Sequence, residues 1–342
     1  MNIQIVILNI KDADAIIVHL DKGDKHFVML VDGGHAGDAP VIIDELDSVL
    51  AKAGKKGPDL IICTHYDSDH IGGLMEIVKR YKNEIAQLLI HRTSQLLEIP
   101  KLAIPAFFEK TSIFPSESDR LLTINEGTYD ILKNTEVQNV LRSLQQEIDL
   151  LDLIYSLGIP TEEPVAGNYS IAEWPEFEII GPTWEYYKKL FPQHFDVKDF
   201  LIQESLALRE EIGIIENEKD KDPCETLESL KKSRVTNPNL NSAIIKIKVG
   251  ENTFLFTADA GIESFINIPN YKEVLKNTFW LKVPHHGSRN NINCELIKLM
   301  APKVAVISGN KYVDTSVVGC FQSIGSKVDI TRDISDHLYY NF

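Results

Sequence analysis

Four metal-capable side chains fall within six residues at His65-Tyr66-Asp67-Ser68-Asp69-His70, directly after the apolar run 59–64 (DLIICT). A short run of Leu and Ile bounded by polar residues reads as a buried strand, so the polar residues lie on the loop that this strand delivers. A strand end is where a sheet can hold ligands rigidly and leave coordination positions open. Imidazole nitrogen and carboxylate oxygen together suit zinc, manganese or iron, and the oxygen share admits magnesium. The alternative is a polar turn with two surface histidines. It must also explain Gly72-Gly73, which lets the backbone turn tightly into the next helix.

Two later segments repeat the pattern of an apolar strand ending in chemistry. In Phe254-Leu255-Phe256-Thr257-Ala258-Asp259-Ala260-Gly261 an aspartate closes the run. A lone Asp there serves as a helix N-cap. As a bridging carboxylate it could instead hold two cations about 3.5–4 Å apart, the separation that two-metal hydrolases use. In Leu281-Lys282-Val283-Pro284-His285-His286-Gly287-Ser288 two adjacent histidines follow a strand and a proline. Adjacent side chains diverge, so one histidine is expected to bind metal and the other to contact substrate or carry a proton. His91 and His35 read as structural or exposed; His19, His26, His194 and His337 have no motif around them.

The rest of the chain frames these segments as an α/β fold. Strands are expected at 3–9, 15–20, 26–32, 59–64 and 86–91, with helices at 40–53 and 74–82. A long amphipathic helix follows at 137–157, a strand at 175–183, and an acidic helix at 199–216. Residues 217–238 are charge-rich and read as a loop or short surface helix. Strands return at 242–249, 253–258, 279–284 and 303–308, with a helix at 293–300. With 342 residues, 44% of them hydrophobic, the chain fits one large α/β domain with an insertion or two modest domains. A net charge of −15 disfavours a wide nucleic-acid-binding face, though cations bound in a narrow groove would dominate the field there. The four cysteines (Cys63, Cys224, Cys294, Cys320) contain no CxxC pair and read as reduced thiols. With no basic segment ahead of an apolar stretch near Met1 and no apolar run of about 20 residues, a cytoplasmic protein with no membrane span is expected.

Taken together, the motifs resemble those of the metallo-β-lactamase superfamily, and within it the hydrolase domain of ComEC-type competence proteins and their stand-alone relatives. Thr64–Gly73 looks like that group's histidine motif, with Asp67 where many zinc β-lactamases have His. Leu281–Ser288 looks like its late histidine motif, and Asn9–Val18, with Asp14-Ala15, like its early strand-turn-strand. Val31-Asp32-Gly33-Gly34 looks like the first superfamily motif, whose Asp orients the ligand loop. The resemblance, which touches both ends of the chain, implies a single domain over 1–342, a four-layer αββα sandwich with a mostly helical insertion at about 95–235 and a site at one edge between the sheets. It implies that His65 and Asp67 bind one metal, Asp69 and His70 the other, that Asp259 bridges, and that His286 completes the second site while His285 faces substrate. A further histidine that the superfamily often has, about 20 residues before the bridging Asp, is replaced here by Asn237-Pro238-Asn239-Leu240-Asn241-Ser242. The first metal is therefore expected to be weakly held or absent, with Asn241 or Asn239 able to lend an amide oxygen.

The chemistry this implies is hydrolysis by a water that two divalent cations, zinc or manganese, activate, with Asp69 orienting the water and His285 acting as the catalytic histidine. Carboxylate-rich ligands favour phosphodiesters, which makes a phosphodiesterase or nuclease the first expectation, with DNA among the candidate substrates and Ser288, Arg289 and Asn241 contacting the substrate. Lys282 sits on the strand and is expected to point elsewhere. The competing readings are a lactonase or thioesterase, and a non-catalytic partner protein in a multi-component defence system.

Overall fold

A computed structural model of the chain describes residues 1–97, 135–191, 197–211, 222–309 and 311–342. Two sheets face one another. The first has seven strands in the order β13-β1-β2-β3-β4-β5-β6, the second six in the order β12-β11-β10-β9-β8-β7. In chain order they are β1 Asn2–Ile7, β2 Ile16–Asp21, β3 His26–Val31, β4 Leu60–Ile62, β5 Gln87–Leu89, β6 Thr161–Glu162, β7 Phe177–Gly181, β8 Ile244–Val249, β9 Asn252–Phe256, β10 Trp280–Lys282, β11 Val304–Ile307, β12 Lys327–Ile330 and β13 Leu338–Asn341.

The alternation of side chains along each strand builds the layers. Ile3, Ile5 and Ile7 of β1 face the second sheet and meet Ile245, Phe254 and Trp280, while Val6 and Leu8 face outward. The outer face of the first sheet is covered by helices Ala39–Ala53, Leu74–Arg80 and Thr135–Leu157 through Ile42, Leu46, Ile77, Leu144 and Ile154. The outer face of the second is covered by Pro223–Ser229, Cys294–Met300 and Thr315–Ser323 through Leu227, Ile297 and Phe321. The result is the four-layer αββα arrangement expected from the sequence. The segment 95–235 contributes β6 and β7, the edge strands of the two sheets, as well as helices.

The long helix stands at Thr135–Leu157 and the acidic one at Val197–Glu211; residues 212–216 of the expected span, and His194, lie outside the described residues. The charge-rich stretch contains two short helices, Pro223–Ser229 and Asn237–Leu240. Beyond the expected elements the chain adds helix Thr315–Ser323 and strands β12 and β13, the last pairing antiparallel with β1.

One expectation is corrected outright. Cys224 and Cys320, 96 residues apart, form a disulfide; Cys63 and Cys294 are free. No spacing rule reports such a pair, because only the packing of two helices on the second sheet brings the sulfurs together. The disulfide also removes the support that reduced thiols gave to a cytoplasmic location. Among the described residues no helix is long and apolar enough to cross a membrane.

Candidate metal centre

Strands β3, β4 and β5 run parallel in one sheet, and β9, β10, β11 and β12 in the other. Their carboxyl ends deliver the motif residues to one edge of the sandwich: Asp32 after β3, His65 after β4, Asp259 after β9 and His285-His286 after β10. The loops meet closely. A Cβ on Gly73 would lie 2.1 Å from the Gly33 carbonyl oxygen, so this pair of turns requires glycine.

Asp32 organises the histidine loop. Its carboxylate accepts hydrogen bonds of 2.8 Å from the Thr64 amide, the Thr64 hydroxyl and His70 Nδ1. Because Thr64 Oγ1 donates to Asp32, it accepts from His65 Nδ1 at 3.0 Å. His286 Nδ1 donates to the Ser308 carbonyl at 3.0 Å. His285 Nδ1 donates to Asn291 Oδ1 at 3.0 Å, and the amide nitrogen of the same Asn291 donates to the Asp259 carbonyl at 2.8 Å. Each of the four imidazoles is thus fixed through Nδ1, which turns Nε2 inward.

The inward atoms converge. His70 Nε2 lies 3.3 Å from Asp259 Oδ2 and 4.0 Å from Asp69 Oδ2, and His286 Nε2 lies 3.7 Å from Asp69 Oδ2. His65 Nε2 lies 3.7 Å from Asp67 Oδ2, and His285 Nε2 3.7 Å from Asp259 Oδ2. Nε2 of His65, His70 and His286, together with Asp259 Oδ1, are buried and have no hydrogen-bond partner. An unpaired buried polar group costs about 1–3 kcal/mol, so four in one place fit a donor set built for cations. Of the two adjacent histidines, His286 is fully buried in this cluster, whereas His285 lines the cleft above it.

Charge concentrates here. Burial alone would lower His70 and His286, but Asp259, Asp32 and Asp69 around the first, and Asp14, Asp69 and Asp259 around the second, raise both. His65 is driven well below the usual imidazole value by burial and by His70. Asp67 is pushed up by burial and by Asp69. Asp259 is held low, because His70, His285 and His286 outweigh its burial.

Two residues join the site that the motifs did not assign. Lys282 points into its floor: fully buried, it pairs with Asp14, donates to the Ala258 carbonyl at 3.3 Å and stands 4.0 Å from Asp259 Oδ1. As expected it does not line the cleft; it points beneath the acidic residues instead. Asp14 offers a carboxylate oxygen within 4.8 Å of the ligating atoms of His70, Asp259 and His286. An aspartate in a strand-turn-strand and a lysine in a strand are ordinary in sequence; only their shared burial marks them.

The substrate contacts expected beyond the histidine pair fare differently. Arg289 Nε pairs with Asp314 Oδ2 at 3.3 Å, and Ser288 Oγ accepts from the Asn290 amide at 3.3 Å; neither lines the cleft. Arg289 is drawn away by a carboxylate 25 positions later, which sequence proximity to the histidines could not show. Asn241 is buried with an unpartnered amide oxygen, as is Asn239, which lines the cleft. Ser242, within the segment that replaces the further histidine, places its hydroxyl 3.3 Å from His65 Nδ1 and accepts from the Asp259 amide at 3.2 Å. His35 is exposed at the cleft, and His91 is buried, which lowers it to about 3.

The cleft has a volume of about 540 Å³. Tyr66, Val140, Leu208 and Tyr312 give it apolar wall, Asp12, Glu136 and Glu204 acidic wall, and Lys311 stands at its side.

Residues 14–94 match the family model of the metallo-beta-lactamase superfamily. No curated protein matches the sequence. Among solved structures, the metallo-beta-lactamase fold protein YhfI from Bacillus subtilis is 11% identical over 100% of this chain and 99% of that one, with a TM-score of 0.44. Zinc-bound PqqB from Methylobacterium extorquens is 10% identical over 98% of this chain and 99% of that one, with a TM-score of 0.43. A CmlA beta-hydroxylase variant is 12% identical over 99% of this chain and 54% of that one, with a TM-score of 0.39. Residues 14–94 are thus similar to the metallo-β-lactamase superfamily, and the two facing sheets with helices outside both have the arrangement of the metallo-β-lactamase fold.

Proposed function

We propose that the chain is a metal-dependent hydrolase of phosphodiesters, with a centre for two divalent cations, zinc or manganese. The observation that carries this reading is the convergence of four buried donor atoms without partners, on His65, His70, His286 and Asp259, at the foot of the cleft. In this reading His65 and Asp67 serve the first cation, with an amide oxygen from Asn239 or Asn241. Asp69, His70 and His286 serve the second, and Asp259 serves both. When bound, the cations would supply Lewis acidity to the scissile group and lower the pKa of a water.

The chain's own residues supply position and proton transfer. Asn291 ties His285 at Nδ1, so Nε2 of His285 is placed to exchange a proton with a group in the cleft. Asp69, held low by His70 and His286 despite its burial, accepts a hydrogen bond from an attacking water and orients it. Lys282 and Asp14 brace Asp259 from beneath.

Oxygen-rich ligation favours a hard cation pair and hence phosphorus over carbonyl carbon. The cleft wall narrows the class further. Among its described residues Lys311 is the only lysine or arginine, against Asp12, Glu136 and Glu204. Such a wall suits a short phosphodiester better than a duplex, which needs repeated phosphate neutralisation. Lys311 takes the phosphate-contacting part that Arg289 cannot. The ComEC-type kinship of the proposal rests on Thr64–Gly73 and Leu281–Ser288. A carbonyl ester remains the second reading, favoured by Val140, Leu208 and Tyr312 in the same wall.

Turnover of bis-p-nitrophenyl phosphate, single-stranded DNA and a lactone with manganese or zinc tests the assignment. Phosphodiester turnover is expected, and Asp69→Ala and Asp259→Ala should each lower it more than about 100-fold with an unchanged circular dichroism spectrum. Turnover of the lactone alone refutes the phosphodiesterase reading. Silence on all three substrates, with no metal in the purified protein, favours a non-catalytic partner protein.

A further inference from the structure

The molecule holds a second cluster of ligating atoms on the opposite side of the second sheet, formed by sulfur alone. Helices Pro223–Ser229, Cys294–Met300 and Thr315–Ser323 pack together over that sheet and bring Cys224, Cys294 and Cys320 to a common point, their sulfurs all within 4.8 Å of one another. Cys224 and Cys320 are buried and joined as a disulfide; Cys294 is a free thiol, partly exposed. We infer that these three cysteines form a redox-gated site for a thiophilic cation, open when the disulfide is reduced and closed when it forms.

The geometry suits such an ion. Metal–thiolate bonds of about 2.3 Å around one cation place their sulfurs roughly 4 Å apart, inside the observed envelope once the Cys224–Cys320 bond is broken. A donor set of three thiolates is soft and selects zinc, cadmium or monovalent copper over the hard cations that suit a carboxylate-rich centre. The sulfurs come from three separate helices fixed by a shared apolar core, so the third thiol is held beside the pair by the fold itself. Lys232 is in electrostatic contact with Cys294 and donates to the Ile292 carbonyl at 3.0 Å, placing a cation where it offsets part of the charge of three thiolates. The partial exposure of Cys294 leaves an outward position for solvent or an incoming ion.

The gating step balances simply. A dithiol or phosphine reductant delivers two electrons and is itself oxidised. The Cys224–Cys320 bond breaks, and two protons complete two thiols. Cation binding then releases thiol protons. A small-molecule disulfide reverses the sequence: it accepts two electrons and two protons to become two thiols, the Cys224–Cys320 bond re-forms, and the ion is expelled.

The test uses the full chain in two forms, oxidised and reduced with a phosphine that does not itself bind metal, and titrates each with cadmium. The thiolate-to-cadmium absorption band in the ultraviolet reports sulfur ligation only, so the His/Asp centre does not contribute. The reduced protein is expected to gain one equivalent of cadmium with this band and the oxidised protein none. Cys294→Ser and Cys320→Ser should lose the band, while Cys63→Ser, whose sulfur lies in another core, should keep it. If the reduced protein shows no band, if Cys294→Ser retains it at full strength, or if the disulfide resists reduction while the protein stays folded, the site does not exist. The comparison of the two wild-type forms stands even if a variant fails to fold.

Discussion

Asp32→Asn separates a site built around imidazole tautomers from one that is merely polar. The wild-type carboxylate accepts three hydrogen bonds of 2.8 Å, from the Thr64 amide, the Thr64 hydroxyl and His70 Nδ1, in surroundings closed to water. An asparagine keeps one oxygen and replaces the other with an N–H2 donor. With the oxygen left on the Thr64 amide, the donor faces His70 Nδ1, which must then become an acceptor. The proton that the imidazole retains then sits on Nε2, the atom that lies 3.3 Å from Asp259 and is offered to a cation. Replacing such an outer partner typically costs 10–100-fold in metal affinity, or about 1.4–2.8 kcal/mol. The measurement is a competition titration of the purified protein with zinc against a chromophoric chelator, which reads affinity without reference to any substrate. Affinity within twofold of wild type, in a variant of unchanged fold, would refute the argument that Asp32 holds His70 in its ligating tautomer.

Three further outcomes follow from buried charge. Lys282→Met leaves Asp14 uncompensated in a fully buried position and should cost about 3–5 kcal/mol in chemical denaturation, with Asp14→Asn in the same chain recovering part of it. Glu147 is fully buried on Thr135–Leu157, accepts from the Ser94 amide and hydroxyl at 3.1 and 3.2 Å, and is pushed by burial to about 8 from the usual 4.5. The folded state therefore holds a proton that the unfolded chain has lost, so stability is full below about pH 4.5 and falls as pH rises through about 8. Glu147→Gln should behave like wild type at pH 4–5 and exceed it by about 3–5 kcal/mol at pH 9; parallel pH profiles of thermal unfolding would sink this. Because burial raises Asp67 and the surrounding carboxylates raise His70 and His286, zinc binding at neutral pH should release protons and tighten as pH rises. Calorimetry in buffers of different ionisation enthalpy measures the release, and its absence would contradict the assigned protonation.

The sequence was legible wherever chemistry is local. His65, Asp67, Asp69 and His70 share one loop, and Asp259 and His285-His286 each close an apolar run, so strand-end reading found them without contacts. The strands were legible for the same reason, from apolar runs such as 59–64, whereas their stacking into four layers came from the family resemblance of the motifs. What escaped reading depends on tertiary distance. Asp14 and Lys282 are 268 residues apart and meet only because the β1–β2 turn and β10 belong to facing sheets. Arg289 looked available for phosphate until the turn before Thr315–Ser323 supplied Asp314. The Cys224–Cys320 pair depends on two helices of which one lay in a stretch too polar to read as packed, although its Cys224 and Leu227 are buried.

The backbone supports the same reading from another direction. Among the described residues eight non-glycine positions have positive φ, and four of them, Asp32, Ala258, His285 and His286, surround the proposed centre. Left-handed conformations of this kind cost about 1–3 kcal/mol each and persist only where neighbours over-determine them. Here the determinants are visible: Asp32 is tied by Thr64 and His70, Ala258 by Lys282 and the His285 amide, and His286 by Ser308. Gly309 completes the cradle, since a Cβ there would lie 2.7 Å from His286 Nδ1. Strain at four positions and four buried polar atoms without hydrogen bonds raise the free energy of the fold at the same point in space. A cation would relieve the second of these directly and lock the first in place, so binding should stabilise the fold as well as prepare the chemistry. A polar turn with no ligand offers no such compensation, and on energetic grounds that is the weaker account of residues 65–70.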